Sequence, residues 1–157
     1  ELHLIGHLQG NKVRKVVQLF DVIQTVDSLK LAKRINTISN QETQPQNIFL
    51  QVNTGGDPNK HGFSPKETIS AAKEIAKMRG LSLIGIMTIP PNNISKGNLQ
   101  SIYKETKKIR DRVQTSIEKS CNNLSMGMSN DYETAIAEGA THIRLGTALF
   151  GERPQRK

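Results

Sequence analysis

An α/β fold of about six strand–helix repeats, curling as part of a (β/α)8 barrel, is the architecture these 157 residues predict. Three observations carry that reading. Short apolar runs alternate with helical spacings along the chain, the pattern of a parallel sheet. Polar or small residues gather where nearly every apolar run ends (Gly6-His7, Thr25, Asn53, Thr88, Ser125 and Arg144), and barrel sites lie on that rim. The last two strand–loop units carry glycine-plus-hydroxyl turns before a short final helix, the recurrent phosphate position of such barrels. A doubly wound open sheet is the alternative that alternation alone leaves open.

The elements follow in order. His3 to Ile5 reads as a strand, and Asn11 to Phe20 as a helix with Val13, Val16, Val17 and Phe20 on one face. Val22 to Thr25 is a second strand, after which Asp27 or Ser28 caps a helix with Leu31, Ile35 and Ile38 inward. Ser39 to Asn47, rich in Gln, Asn and Pro, is a loop; Ile48 to Val52 is a strand, and Thr54 to Phe63 a turn-rich connection. Ser64 before Pro65 opens a helix in cap-then-proline order, with Ile69, Ala72, Ile75 and Ala76 inward. Leu81 to Met87 is nearly all apolar, as for a strand covered on both faces, and Pro90-Pro91 ends it. Leu99, Ile102, Thr106, Ile109, Val113 and Ile117 step through a long helix from about Ser95 to Ser120. Leu124 to Gly127, a helix from Asp131 to Glu138, His142 to Leu145 and a short helix near Thr147 complete the set. Eight strands and about 250 residues close such a barrel. Six form an open arc with two edges prone to association, so the chain reads as the C-terminal part of something longer.

Charge and composition narrow the function. A net charge of +8, from 22 basic and 14 acidic residues, favours anionic partners. Most of the basic residues fall on the wet faces of amphipathic helices. Aromatic residues make up only 4% and tryptophan is absent, which leaves few stacking platforms and ranks a nucleic-acid module last. No run approaches the roughly 18 to 20 apolar residues of a membrane span. A lone Cys121 excludes an internal disulfide and fits a reducing, cytoplasmic setting.

The chemistry concentrates near the end of the chain. Leu124-Ser125-Met126-Gly127-Met128-Ser129-Asn130-Asp131 and Ile143-Arg144-Leu145-Gly146-Thr147 are each a short strand turning through glycine and hydroxyl into a helix. Such turns aim N–H groups and a hydroxyl at one spot, which suits a phosphate. Ser129 taken alone reads first as the cap of the following helix, with Asp131 and Glu133 in its first turn, and becomes a phosphate ligand only with the Gly146-Thr147 turn as its neighbour. Arg144 has a structural alternative as well, a pairing with Asp131 or Glu152. His61 and His142 read as structural, and Met87, Met126 and Met128 as packing. No His/Cys/Asp group has metal-ligand spacing, so no metal site is expected.

Several segments together resemble one family. Leu4-Ile5-Gly6-His7-Leu8-Gln9-Gly10-Asn11-Lys12, Gln51-Val52-Asn53, Lys60-His61-Gly62, Gly85-Ile86-Met87, Ser125 to Asp131 and Arg144 to Gly151 are similar, in order and spacing, to motifs of the pyridoxal phosphate homeostasis proteins. The resemblance spans the whole chain. It implies one domain over residues 1–157, roughly three-quarters of a barrel of the alanine racemase N-terminal type, in a family of monomers. It also implies a non-catalytic carrier that binds pyridoxal 5′-phosphate (PLP) in vitamin B6 homeostasis and hands it to PLP-dependent enzymes. Ser129, Gly146 and Thr147 match the phosphate-holding positions, and Arg144 the arginine facing the pyridine nitrogen. Ser125, Met126 and His7 fall in or near the pocket. The family's Schiff-base lysine lies on a strand preceding Glu1, and no lysine here matches it; Lys12 belongs to a helix start and Lys60 to a glycine loop. An amino-acid racemase-like PLP enzyme on the same barrel is the alternative; it needs a second base opposite the ring, and Tyr103, Tyr132 and Cys121 are expected on helices away from the rim.

Overall fold

The computed structural model describes residues 1–42 and 44–151, and within them strands and helices alternate strictly. The strands are β1 (His3–Leu4), β2 (Val22–Val26), β3 (Gln46–Gln51), β4 (Leu81–Met87), β5 (Asn123–Met128) and β6 (His142–Arg144). The helices are α1 (Val13–Leu19), α2 (Leu29–Ser39), α3 (Pro65–Ile75), α4 (Lys96–Ser116), α5 (Tyr132–Ala137) and α6 (Thr147–Phe150). Three starts are fixed by serine caps: Ser28 accepts from the Leu31 N–H, Ser95 from that of Asn98, and Ser64 forms a capping box with Glu67 ahead of Pro65.

All strands are parallel and their spatial order is their chain order, β1 to β6. A doubly wound sheet must reverse that order at its switch point, so the sequential order leaves the barrel reading. Side-chain contacts measure the curl. In a flat sheet β2 and β5 would lie about 14 Å apart and β1 and β6 about 24 Å. Instead Ser125 Oγ on β5 reaches Gln24 Oε1 on β2 at 2.6 Å, and the His3 and His142 rings of β1 and β6 stand 5.6 Å apart. The strands form an open arc of a parallel barrel.

The convex face holds the main core. Ile23, Ile48, Leu50, Leu83, Leu124 and Met126 point outward, under Leu31, Ile35, Ala72, Ile75, Ile109 and Val113 of the helices. The concave face carries a small apolar group, Val22, Phe49 and Met87, beside a buried polar line containing Gln24 and Ser125.

Local details depart from periodicity where tertiary demands win. The first helix begins as a 3-10 turn at Gly10–Lys12. Ala76 is the exposed C-cap of α3 and faces water. The long helix ends at Ser116, because Ile117 leaves helical geometry. The chain then turns so that Ser120 Oγ donates to the Leu83 carbonyl at 3.0 Å. Cys121 is consequently buried in the loop before β5 and not on a helix; burial pushes its thiol up to about 12.

Candidate functional site

At the carboxyl ends of β5 and β6 the two glycine–hydroxyl loops meet. Gly127 makes the first turn possible: its φ is +94°, and a Cβ there would sit 2.6 Å from that of Ala135. The turn carries Ser129 across to the last loop, where its Oγ accepts from the N–H groups of both Gly146 and Ala148 at 3.1 Å. Ser129 therefore caps α6 from a distance; Asp131 stands at the start of α5 with no side-chain cap bond, its carboxylate accepting instead from the Met128 N–H at 2.5 Å. With both lone pairs engaged, the Ser129 hydroxyl has only its proton to offer the cleft. Thr147, exposed beside it, starts α6, and its N–H has no intrahelical acceptor. A Cβ on Gly146 would meet nothing within 4 Å, so the missing side chain leaves open space in front of these donors. Ser129, Arg144, Gly146 and Thr147 line one cleft of about 1190 Å³ with Pro90, Asn92 and Met128.

Arg144 forms the floor of that cleft. Its guanidinium donates to Ser125 Oγ at 2.7 Å and to the Thr88 carbonyl at 2.8 Å. The line continues inward: Ser125 Oγ contacts Gln24 Oε1, and Gln24 Nε2 contacts His3 Nδ1 at 2.8 Å. Burial draws the Arg144 pKa below its ordinary value, while Tyr103 and Asp131 draw it up. The group remains a cation.

Three expected site residues are placed elsewhere. Met126 belongs to the helix-facing core, because strand alternation puts it opposite Ser125. Ser125 itself is sealed below the cleft, where it holds Arg144. His7 turns to a different cleft, lined also by Gln9, Asn11, Lys30 and Arg34. There its ring stacks on His61 at 4.0 Å, and both imidazoles face Asp27. His61 therefore has a charged partner, and a His/Asp group forms that no local spacing announces. Asp27 is not the cap of α2; Ser28 is. Arg144 bonds neither Asp131 nor, among the described residues, any other acid; Glu152 lies outside them. Gln24 and Thr88 are the functional neighbours that motif reading misses or leaves without a role, and the one signal for Gln24 is an amide in the middle of an apolar strand.

The family model for the alanine racemase N-terminal domain matches residues 1–154. The chain belongs to that family. Within it, the chain groups with the pyridoxal phosphate homeostasis proteins: it is 40% identical to the one from Synechocystis sp. over 151 residues, 96% of this chain and 69% of that protein. PipY of Synechococcus elongatus, whose structure is solved with PLP bound, superposes with a TM-score of 0.86 at 33% identity, covering 95% of this chain and 69% of PipY. Alanine racemase from Clostridium difficile shares the fold alone, with a TM-score of 0.76 at 18% identity over 98% of this chain and 42% of the racemase. The chain spans about two thirds of the length of the curated relatives it matches. No helix among the described residues is long and apolar enough to cross a membrane.

Proposed function

We propose that this chain binds pyridoxal 5′-phosphate and acts as a non-catalytic carrier in vitamin B6 homeostasis. Ser129, Gly146 and Thr147 would hold the phosphate and Arg144 the pyridine nitrogen. The observation that carries the reading is the Ser129 bridge to Gly146 and Ala148, which fuses two loops into one donor-rich cradle. The donor set fits an anion: the Ser129 proton, the exposed Thr147 hydroxyl, the first N–H of α6 and a fixed cation behind them. Gly146 leaves the space that a ligand oxygen would need.

The bound group would supply a reactive aldehyde and an electron-withdrawing ring. Arg144, unable to accept a proton and anchored by Ser125 and Thr88, favours an unprotonated ring nitrogen. Such a ring withdraws electrons weakly, which suits a carrier or a racemase more than a transaminase. Residues that a racemase would use as a second base are ill-placed here. Tyr103 is wholly buried on α4 with its phenol pushed up by burial and by Asp131, and the Cys121 thiol is sealed in a loop. Delivery to PLP-dependent enzymes and a cytoplasmic location belong to the same proposal.

Titrating the protein with PLP and following its absorption and fluorescence tests this. Saturable binding displaced by inorganic phosphate is expected, weakened about 10-fold or more by Arg144→Ala and by Thr147→Val. Unchanged affinity in both variants would refute the assignment, and D-amino acid formation would refute the carrier role.

A further inference from the structure

We propose that His7, Asp27 and His61 bind a divalent transition-metal ion of the zinc class, at a site separate from the phosphate cradle. The three residues come from successive loops, after β1, β2 and β3, and present one ligand atom each, all within 4.8 Å of one another. His7 Nδ1 lies 3.3 Å and His61 Nδ1 3.7 Å from the same oxygen, Asp27 Oδ2. These separations exceed the usual N–H···O range of about 2.7–3.2 Å. The His7 separation equals the spacing between donors on a tetrahedral ion, about 3.3 Å for metal–ligand bonds of about 2.0–2.1 Å, and a small turn of the exposed His61 ring would bring the second to it.

Asp27 supplies the second reason. Its side chain is only 10% exposed, yet among the described residues no N–H or O–H hydrogen-bonds its carboxylate; the two imidazoles are the groups that face it. A nearly buried carboxylate without donors is costly, and a cation at the shared oxygen removes that cost. The histidine side chains are 46% and 63% exposed, so both rings are free to turn from their stacked arrangement toward an ion. A Cβ on Gly6 beside His7 would meet nothing within 4 Å, so the His7 loop has room to follow. Two imidazole nitrogens and one carboxylate oxygen, with a fourth position left to water, form the donor set of an open zinc-type site and suit neither calcium nor magnesium.

The test is calorimetric titration of the chelator-free protein with Zn²⁺, paralleled by Co²⁺ and its visible absorption. One ion per chain and the intense bands of low-symmetry four-coordinate Co²⁺ are expected. Asp27→Asn and His61→Ala should each weaken binding at least about 10-fold, whereas His142→Gln should leave it unchanged. His61 is an exposed loop side chain, so its removal tests the site even if Asp27→Asn fails to fold. Absence of saturable binding overturns the proposal. So does unaltered affinity in His61→Ala, or loss confined to His142→Gln, which would place the ion at the His3–His142 pair. None of these readouts involves PLP.

Discussion

Replacing Ser125 by alanine removes one oxygen from the concave face and breaks two contacts at once. The Arg144 N–H at 2.7 Å loses its acceptor, and Gln24 Oε1 at 2.6 Å loses its donor. A hydrogen bond to a charged group contributes about 1.5–3 kcal/mol and a neutral one about 0.5–1.5 kcal/mol. Ser125 and Gln24 are buried, so water does not restore the lost partners. The sum is about 2–4 kcal/mol, a large share of the 5–15 kcal/mol typical of a domain. With a urea slope of about 1–3 kcal/mol per molar, the unfolding midpoint should fall by about 1–2 M, measured by far-UV circular dichroism. Affinity for PLP should fall with it, because Arg144 loses an anchor. A double-mutant cycle with Gln24→Leu isolates the bond between β5 and β2, whose expected coupling is about 1 kcal/mol. A midpoint unmoved in Ser125→Ala, or strict additivity in the cycle, would refute both the buried line and the curl that brings its ends together.

Three further outcomes follow from the same geometry. Gly127→Ala forces a side chain into a positive-φ position and against Ala135; a loss of about 2–4 kcal/mol is expected in thermal unfolding. Ser64→Ala removes the capping box of α3 and should cost about 0.5–2 kcal/mol while leaving PLP affinity unchanged. The His142 pKa is lowered by burial and by His3, against a smaller opposing effect of Glu1, so protonation favours the unfolded chain. Stability should be full above about pH 6.5 and decline as pH falls through that value. His142→Gln should flatten that decline in urea midpoints measured from pH 8 to 5.

Much of the fold is legible in the residues, and the limits are physical. Strand β4 is readable from Leu81 to Met87 because a doubly covered strand is nearly all apolar, and α3 because Ser64-Pro65 marks its start. The convergence of the last two loops is legible too, since each has the same strand–glycine–hydroxyl order. Other features are set by distant partners. The end of α4 cannot be read from its apolar steps, which continue to Ile117; the Ser120 contact with β4 decides it. Met126 and Ser125 are neighbours with opposite fates, and only the sheet tells which face is concave. Gln24 and Ser125 stand 101 positions apart, and His7, Asp27 and His61 come from three loops. No local pattern encodes groupings that arise when the sheet closes on itself.

The concave line has a direction, and Arg144 sets it. A guanidinium donates and cannot accept, so Ser125 Oγ accepts from Arg144 and must give its own proton to Gln24 Oε1. That orients the Gln24 amide, whose Nε2 then donates to His3 Nδ1. His3 accordingly carries its proton on Nε2, the nitrogen 3.3 Å from the Glu1 carboxylate. One fixed cation on β6 thereby dictates the rotamer or tautomer of groups on β5, β2 and β1. The polarity works in reverse as well: each acceptor downstream holds the hydroxyl that holds Arg144. The cation on the cleft floor thus owes its position to an amide and an imidazole that do not line the cleft, which is why Gln24, absent from every motif, belongs to the candidate site.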